Sequence, residues 1–139
     1  NNTITSFLST KLNGSRFLIR EPGVRNEELL EQHLSNNEPT VLISPSMSHG
    51  VDLKDHLARF QIIVKAPYLP TKDKRIERLM NDDFSWYINK MLCSLIQSCG
   101  RGIRSKKDHC VTYILDGAIV ESVVNNKHKL PKYFIDRFL

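Results

Sequence analysis

Phe60-Gln61-Ile62-Ile63-Val64-Lys65-Ala66-Pro67-Tyr68-Leu69-Pro70 decides the fold. The first five residues are β-branched or aromatic apart from Gln61 and read as a strand. Pro67 and Pro70 cannot donate to a ladder, so the chain must leave the sheet there. A charged helical segment is expected over residues 72–82. After it, Phe84, Tyr87, Ile88, Met91, Leu92, Leu95, Ile96 and Cys99 recur at helical spacing until Gly100, with Asp82 and Asp83 placed to cap the start. That helix has about 16 residues and a length of roughly 24 Å. Residues 111–116, Val-Thr-Tyr-Ile-Leu-Asp, read as the next buried strand.

Towards the N-terminus the same alternation holds. Ile4, Phe7, Leu8 and Leu12 predict a helix over residues 3–12, stopped by Asn13-Gly14. Residues 16–20 form a compact apolar run bounded by Gly14 and Pro22-Gly23, a short strand. Leu29, Leu30 and Leu34 place a helix over residues 25–34, broken by Asn36-Asn37-Glu38-Pro39, and residues 41–43 are a buried strand. Residues 131–139 can close the chain as an amphipathic helix. Short apolar strands separated by helices predict an α/β fold: a mostly parallel sheet covered on both faces, with ligand loops at the carboxyl ends of its strands. The chain opens on a helix, so a first strand is expected upstream of Asn1.

The chain has 139 residues, the length of one domain, with 20 Lys and Arg against 15 Asp and Glu, a formal charge of +5. Forty per cent apolar residues exclude a disordered chain. No run approaches the roughly 20 apolar residues that span a bilayer, and the start lacks a signal-peptide layout, so a soluble protein without membrane contact is expected. Three cysteines, Cys93, Cys99 and Cys110, have none of the spacings of a disulfide framework, which favours a reducing cytoplasmic setting, or the nucleus in a eukaryote. The basic excess suits a polyanion such as nucleic acid, and serves solubility equally.

Two loops carry chemistry. In residues 44–53, Ser44-Pro45-Ser46-Met47-Ser48-His49-Gly50-Val51-Asp52-Leu53, small residues expose backbone N–H groups that suit phosphate, and Asp52 suits a ribose hydroxyl or a basic side chain. An ordinary strand-to-helix turn fits these residues equally well. In residues 97–104, Gln97-Ser98-Cys99-Gly100-Arg101-Gly102-Ile103-Arg104, Gly100 is the expected helix stop. Arg104 lies three residues after Arg101, so two guanidinium forks can converge on one anion and stabilise charge on a transferring phosphoryl group. The bland alternative is a solvated basic turn over residues 101–107.

Together these loops resemble a known family. Ser46-Met47-Ser48-His49-Gly50-Val51-Asp52-Leu53 is similar to motif V, and Gln97-x-x-Gly100-Arg101-x-x-Arg104 to motif VI, of superfamily 2 helicases. The nearest resemblance is to the XPD-like and DinG-like DNA helicases, over about residues 15–116. Lys65-Ala66-Pro67-Tyr68 resembles their Leu-Pro-Phe segment. The sequence departs from the pattern at His49, where Glu is usual, at Cys110, where glycine commonly follows Asp108 by two, and at Asp116-Gly117, which lacks a nearby Arg.

The resemblance implies a three-layer RecA-like domain, the second of a two-domain motor that closes on ATP and magnesium. Arg101 and Arg104 would be arginine fingers, Gln97 would position the nucleotide or attacking water, and Gly50, Asp52 and Gly100 would border the nucleotide. Ser46, Met47 and Ser48 would touch the tracked strand, single-stranded DNA with RNA as the alternative, usually moved 5′ to 3′. No Gly-x-x-x-x-Gly-Lys-Ser/Thr run and no DEAD- or DEAH-like tetrad occurs, so ATP and magnesium are expected mainly on an N-terminal RecA-like partner domain, and these 139 residues alone are expected to be inactive.

Other readings compete. A helicase-like module that grips nucleic acid or protein without ATP coupling, or a translocase of a restriction or defence complex, shares these motifs. A zinc site from Cys93, Cys99, His109 and Cys110 lacks paired ligand spacing, and a nucleophilic cysteine with His49 or His109 lacks a local signature. Trp86 falls off the apolar stripe and is a candidate for stacking on a base, whereas Tyr87 belongs to the core.

Overall fold

The computed structural model describes residues 7, 10, 16–19, 23–44, 53, 57–103 and 107–138. The chain divides into two compact units, residues 1–51 and 52–139. Most of the helix expected over residues 3–12 lies outside the described residues.

In the first unit, strand β1 (Phe17–Ile19) leads to helix α1 (Asn26–Ser35) and strand β2 (Val41–Ile43). The strands pair in parallel, Phe17 with Val41, Leu18 with Leu42 and Ile19 with Ile43. Parallel pairing requires a crossover, and α1 supplies it. Leu29 is its buried contact residue, and Glu27 and Glu28 in its first turn complement the helix dipole. Arg16 Nε donates to the Pro39 carbonyl at 2.9 Å, tying the entry of β1 to the entry of β2.

In the second unit, strand β3 (Phe60–Ile63) is followed by helix α2 (Lys74–Asp82), helix α3 (Phe84–Cys99) and strand β4 (Val111–Ile114). β3 and β4 are also parallel, with Phe60 opposite Val111 and Ile63 opposite Ile114. Between β3 and α2 the chain runs without regular structure through Pro67 and Pro70, as two missing donors require. Asp73 caps α2, accepting from the Arg75 N–H at 2.9 Å, and Asp83 caps α3, accepting from the Trp86 N–H at 2.9 Å.

α3 builds the core. Tyr87, Met91, Leu92 and Leu95 are buried on one face of the helix, and Met91, Leu92 and Leu95 meet Ala66, Ile119, Val123 and Phe134. Tyr87 stacks on Tyr68 with ring centroids 5.5 Å apart and donates its hydroxyl to the Leu69 carbonyl at 2.8 Å, so the proline-rich exit is fastened to the helix. Trp86 is half-buried, with Lys90 Nζ 5.8 Å from its ring centroid.

Two elements differ from the sequence reading. Helix α4 (Gly117–Asn125) was not expected. Its glycine start and the β-branched Ile119, Val120, Val123 and Val124 lower helix propensity, and burial of Ile119 and Val123 outweighs that deficit. The closing helix, α5 (Lys132–Ile135), is much shorter than residues 131–139. After Asp136 the backbone bonds tighten from i−4 to i−3, with Arg137 N donating to the Phe134 carbonyl and Phe138 N to that of Ile135.

The predicted parallel α/β arrangement is present as two parallel strand pairs, one in each unit. In β3 and β4 the expectation of cover on both faces is met on one: Ile63 and Ile114 pack on the core. Phe60, Ile62, Val111 and Tyr113, on the opposite face, are each about half exposed. Strands apolar on both faces are the mark of a sheet that a second layer covers.

Asp116 joins the carboxyl ends of this pair. One oxygen accepts from the Ala66 N–H at 2.8 Å and the other from the Ala118 N–H at 3.0 Å, capping α4. The Ala66 bond, then the Ala118 bond, holds the carboxyl below the usual carboxylate range. A depressed native value means a stabilising contribution that is complete above the unfolded value near 3.9 and fades as pH falls through the native one. Asp116→Asn is therefore expected to lower the urea midpoint at pH 7 and to converge with the parent only as pH falls through the depressed native value, where the carboxyl too becomes neutral. Parallel pH curves would count against this role.

Candidate active site

α3 does not end in a left-handed glycine. Gly100 has φ −78° and ψ −5°, a right-handed conformation open to any residue, and its N–H donates to the carbonyls of Ile96 and Ser98. The chain tightens into a 3₁₀ turn over Gly100–Gly102, closed by Ile103 N donating to the Gly100 carbonyl at 3.4 Å, and extends only at Ile103, φ −131°. The helix stops where the sequence predicted, by narrowing of the turn.

Gly102 is the glycine that the packing requires. It is buried, and a Cβ there would lie 2.5 Å from Cys110 Sγ, 2.7 Å from Cys110 Cβ and 3.5 Å from the Ala58 carbonyl oxygen. Ala58 precedes β3 and Cys110 precedes β4, so the arginine turn sits at the amino ends of both strands. The other loop singled out from sequence, residues 44–53, follows the carboxyl end of β2. After the proline-rich exit at the carboxyl end of β3, α3 carries the chain back, so that β4 can start level with β3.

Arg101, carried on this turn, is half-buried. Its Nε is a buried donor with no hydrogen-bond partner among the described residues. Buried donors are nearly always satisfied, and a guanidinium left short of an acceptor is suited to an anion. Gln97 stands four residues earlier on the last turn of α3 and is exposed. Of the residues singled out from sequence, Gln97, Gly100 and Arg101 are thus brought onto one helical end. Arg104, Ser46, Met47, Ser48, Gly50 and Asp52 lie outside the described residues.

One contact was not foreseen. Arg59 Nη1 donates to Asp108 Oδ1 at 3.1 Å and to the His109 carbonyl at 3.3 Å. The Asp108 side chain is fully buried, and its Oδ1 also accepts from the His109 N–H at 2.9 Å. Arg59 and Asp108 are far apart in sequence, and only the parallel register of β3 and β4 brings them together.

Cys99 and Cys110 are poor nucleophiles. Burial pushes the Cys99 thiol up to about 11, and burial first, then the Asp108 charge, raises that of Cys110. Among the described residues no three His, Cys, Asp or Glu gather as metal ligands, and no helix is long and apolar enough to cross a membrane.

Comparison with curated proteins gives no match. The sequence profile of the helicase C-terminal domain matches residues 1–135, which takes in both units and the arginine turn. The chain therefore belongs to the helicase C-terminal domain family, the C-terminal domain of XPD-like and DinG-like helicases.

Proposed function

We propose that this domain is the C-terminal motor lobe of an ATP-dependent DNA helicase or translocase, in which Arg101 and Arg104 act as arginine fingers on a triphosphate held mainly by an N-terminal RecA-like lobe. The observation that carries this reading is the buried Arg101 Nε just after α3, which has no hydrogen-bond partner among the described residues, in a chain of this family. A planar cation short of an acceptor fits a phosphate oxygen, and its fork can stabilise charge spreading over the transferring group. Gln97, exposed on the preceding turn, can orient the nucleotide or the attacking water, and Gly100 borders the nucleotide. Magnesium supplies charge neutralisation on the phosphates and would be held by the other lobe. In this reading Gly50 and Asp52 border the nucleotide, while Ser46, Met47 and Ser48 contact single-stranded DNA.

The test is ATP hydrolysis by the full-length protein with and without single-stranded DNA. Stimulated turnover is expected; strand binding without any turnover would favour the uncoupled binding module. Strand affinity should fall linearly on a log–log plot against salt, with a slope of about −0.7 for each phosphate contacted. A flat salt response in filter binding or fluorescence anisotropy would point to a protein partner.

A further inference from the structure

We infer that Arg59 and Asp108 are positioning residues for the arginine turn. The inference rests on the proposed role of Arg101 and adds what fixes its place. The segment from Gly100 to Asp108 carries both arginines between α3 and β4. At its near end Gly102 is seated against Cys110 and the Ala58 carbonyl with no room for a Cβ. At its far end the buried Asp108 carboxylate is gripped by Arg59, whose same nitrogen holds the His109 carbonyl. Arg59 itself sits in the ladder, because its carbonyl accepts from the Val111 N–H at 3.0 Å. Both ends of the segment are thus referenced to the amino ends of β3 and β4.

An arginine finger works only if its fork reaches the reacting phosphate in register. A displacement of about 1 Å at such a group can cost on the order of 10²-fold in rate. Removing Arg59 takes its cation from a fully buried carboxylate that still accepts from the His109 N–H, so the far end of the segment loses its tie to the start of β3. Solvent-exposed ion pairs have little such effect; here the acid is fully buried while the base is 42% exposed.

The experiment compares Arg101→Ala, Arg59→Ala, Arg59→Lys and Asp108→Asn in the full-length protein, assayed for DNA-stimulated ATPase well below the melting temperature of each variant. Folded fraction then does not enter the rates. Arg59→Ala is expected to lower kcat by on the order of 10- to 10²-fold, with KM for ATP and DNA affinity unchanged within about twofold. Arg59→Lys, which keeps the charge, should recover part of kcat. Asp108→Asn, which keeps the shape and an acceptor for His109, should repeat the loss and serves if Arg59→Ala does not fold. Collapse of turnover in Arg101→Ala with unchanged kcat in Arg59→Ala and Asp108→Asn overturns the positioning role alone. So does a raised KM or weakened DNA binding at constant kcat. Unchanged turnover in Arg101→Ala overturns the proposed function, and this inference with it.

Discussion

Arg101→Ala in the full-length protein is expected to lower DNA-stimulated ATP turnover by on the order of 10³-fold, the scale associated with an arginine finger, while leaving the fold intact. Two features separate this loss from a general defect. The Nε of Arg101 is buried and makes no hydrogen bond among the described residues, so truncation takes no bond of that nitrogen from them. Melting temperature without nucleotide should accordingly stay level or rise slightly, the pattern expected where a site is held ready at some cost in stability. The aliphatic stem is the counterweight, since arginine also packs through its methylenes. Arg101→Met retains that stem and should match the alanine variant in lost turnover. Arg101→Lys retains charge without the planar fork and should fall between variant and parent. Single-turnover ATPase and thermal melting on the same preparations check all three. A large fall in melting temperature with proportionate loss of activity would assign Arg101 to packing.

Gly102→Ala is expected to destabilise the domain by about 1–3 kcal/mol, the usual cost of forcing extra volume into a filled site. The added methyl would overlap Cys110 Sγ at 2.5 Å and Cys110 Cβ at 2.7 Å. Rotating the thiol relieves the first overlap but not the second, because Cβ moves only with the backbone. Cys110 must therefore shift at the start of β4, or the arginine turn must lift. Cys110→Gly removes both atoms and leaves only the Ala58 carbonyl at an ordinary 3.5 Å. In that background the alanine should cost little, so a double-mutant cycle by urea denaturation should show a favourable coupling between the two changes. Equal costs in both backgrounds would mean that the turn already yields. The pairing also accounts for one departure from the helicase pattern: the side chain at Cys110, where glycine is common, is accommodated by the absence of one at Gly102.

The legibility of the site followed the range of the interactions that make it. α3 was readable to its last residue because its signals are local: Asp83 as cap, a stripe at 3.6-residue spacing and Gly100 beyond. The parallel pairing of β3 with β4 followed from the helices between them. The helix after Asp116 was not foreseen, because β-branched residues at Ile119 and Val123 speak for a strand until the core that buries them is assembled. A sequence presents two glycines flanking Arg101 as equivalent, whereas the 3₁₀ turn exposes the first and drives the second against Cys110.

By itself the sequence determined the order of strands and helices apart from α4, their parallel sense, the basic turn that ends α3 and the helicase family, since each rests on residues close in the chain or on spacing along it. The tertiary structure alone decided that the arginine turn lies at the amino ends of β3 and β4, that Gly102 must lack a side chain, and that Arg59 grips the buried Asp108. Those facts depend on tertiary contacts, Gly102 against Cys110 eight positions on and Arg59 against Asp108 about fifty positions on, and such contacts have no imprint on local spacing: they exist only once two strands lie in register and close the gap between them.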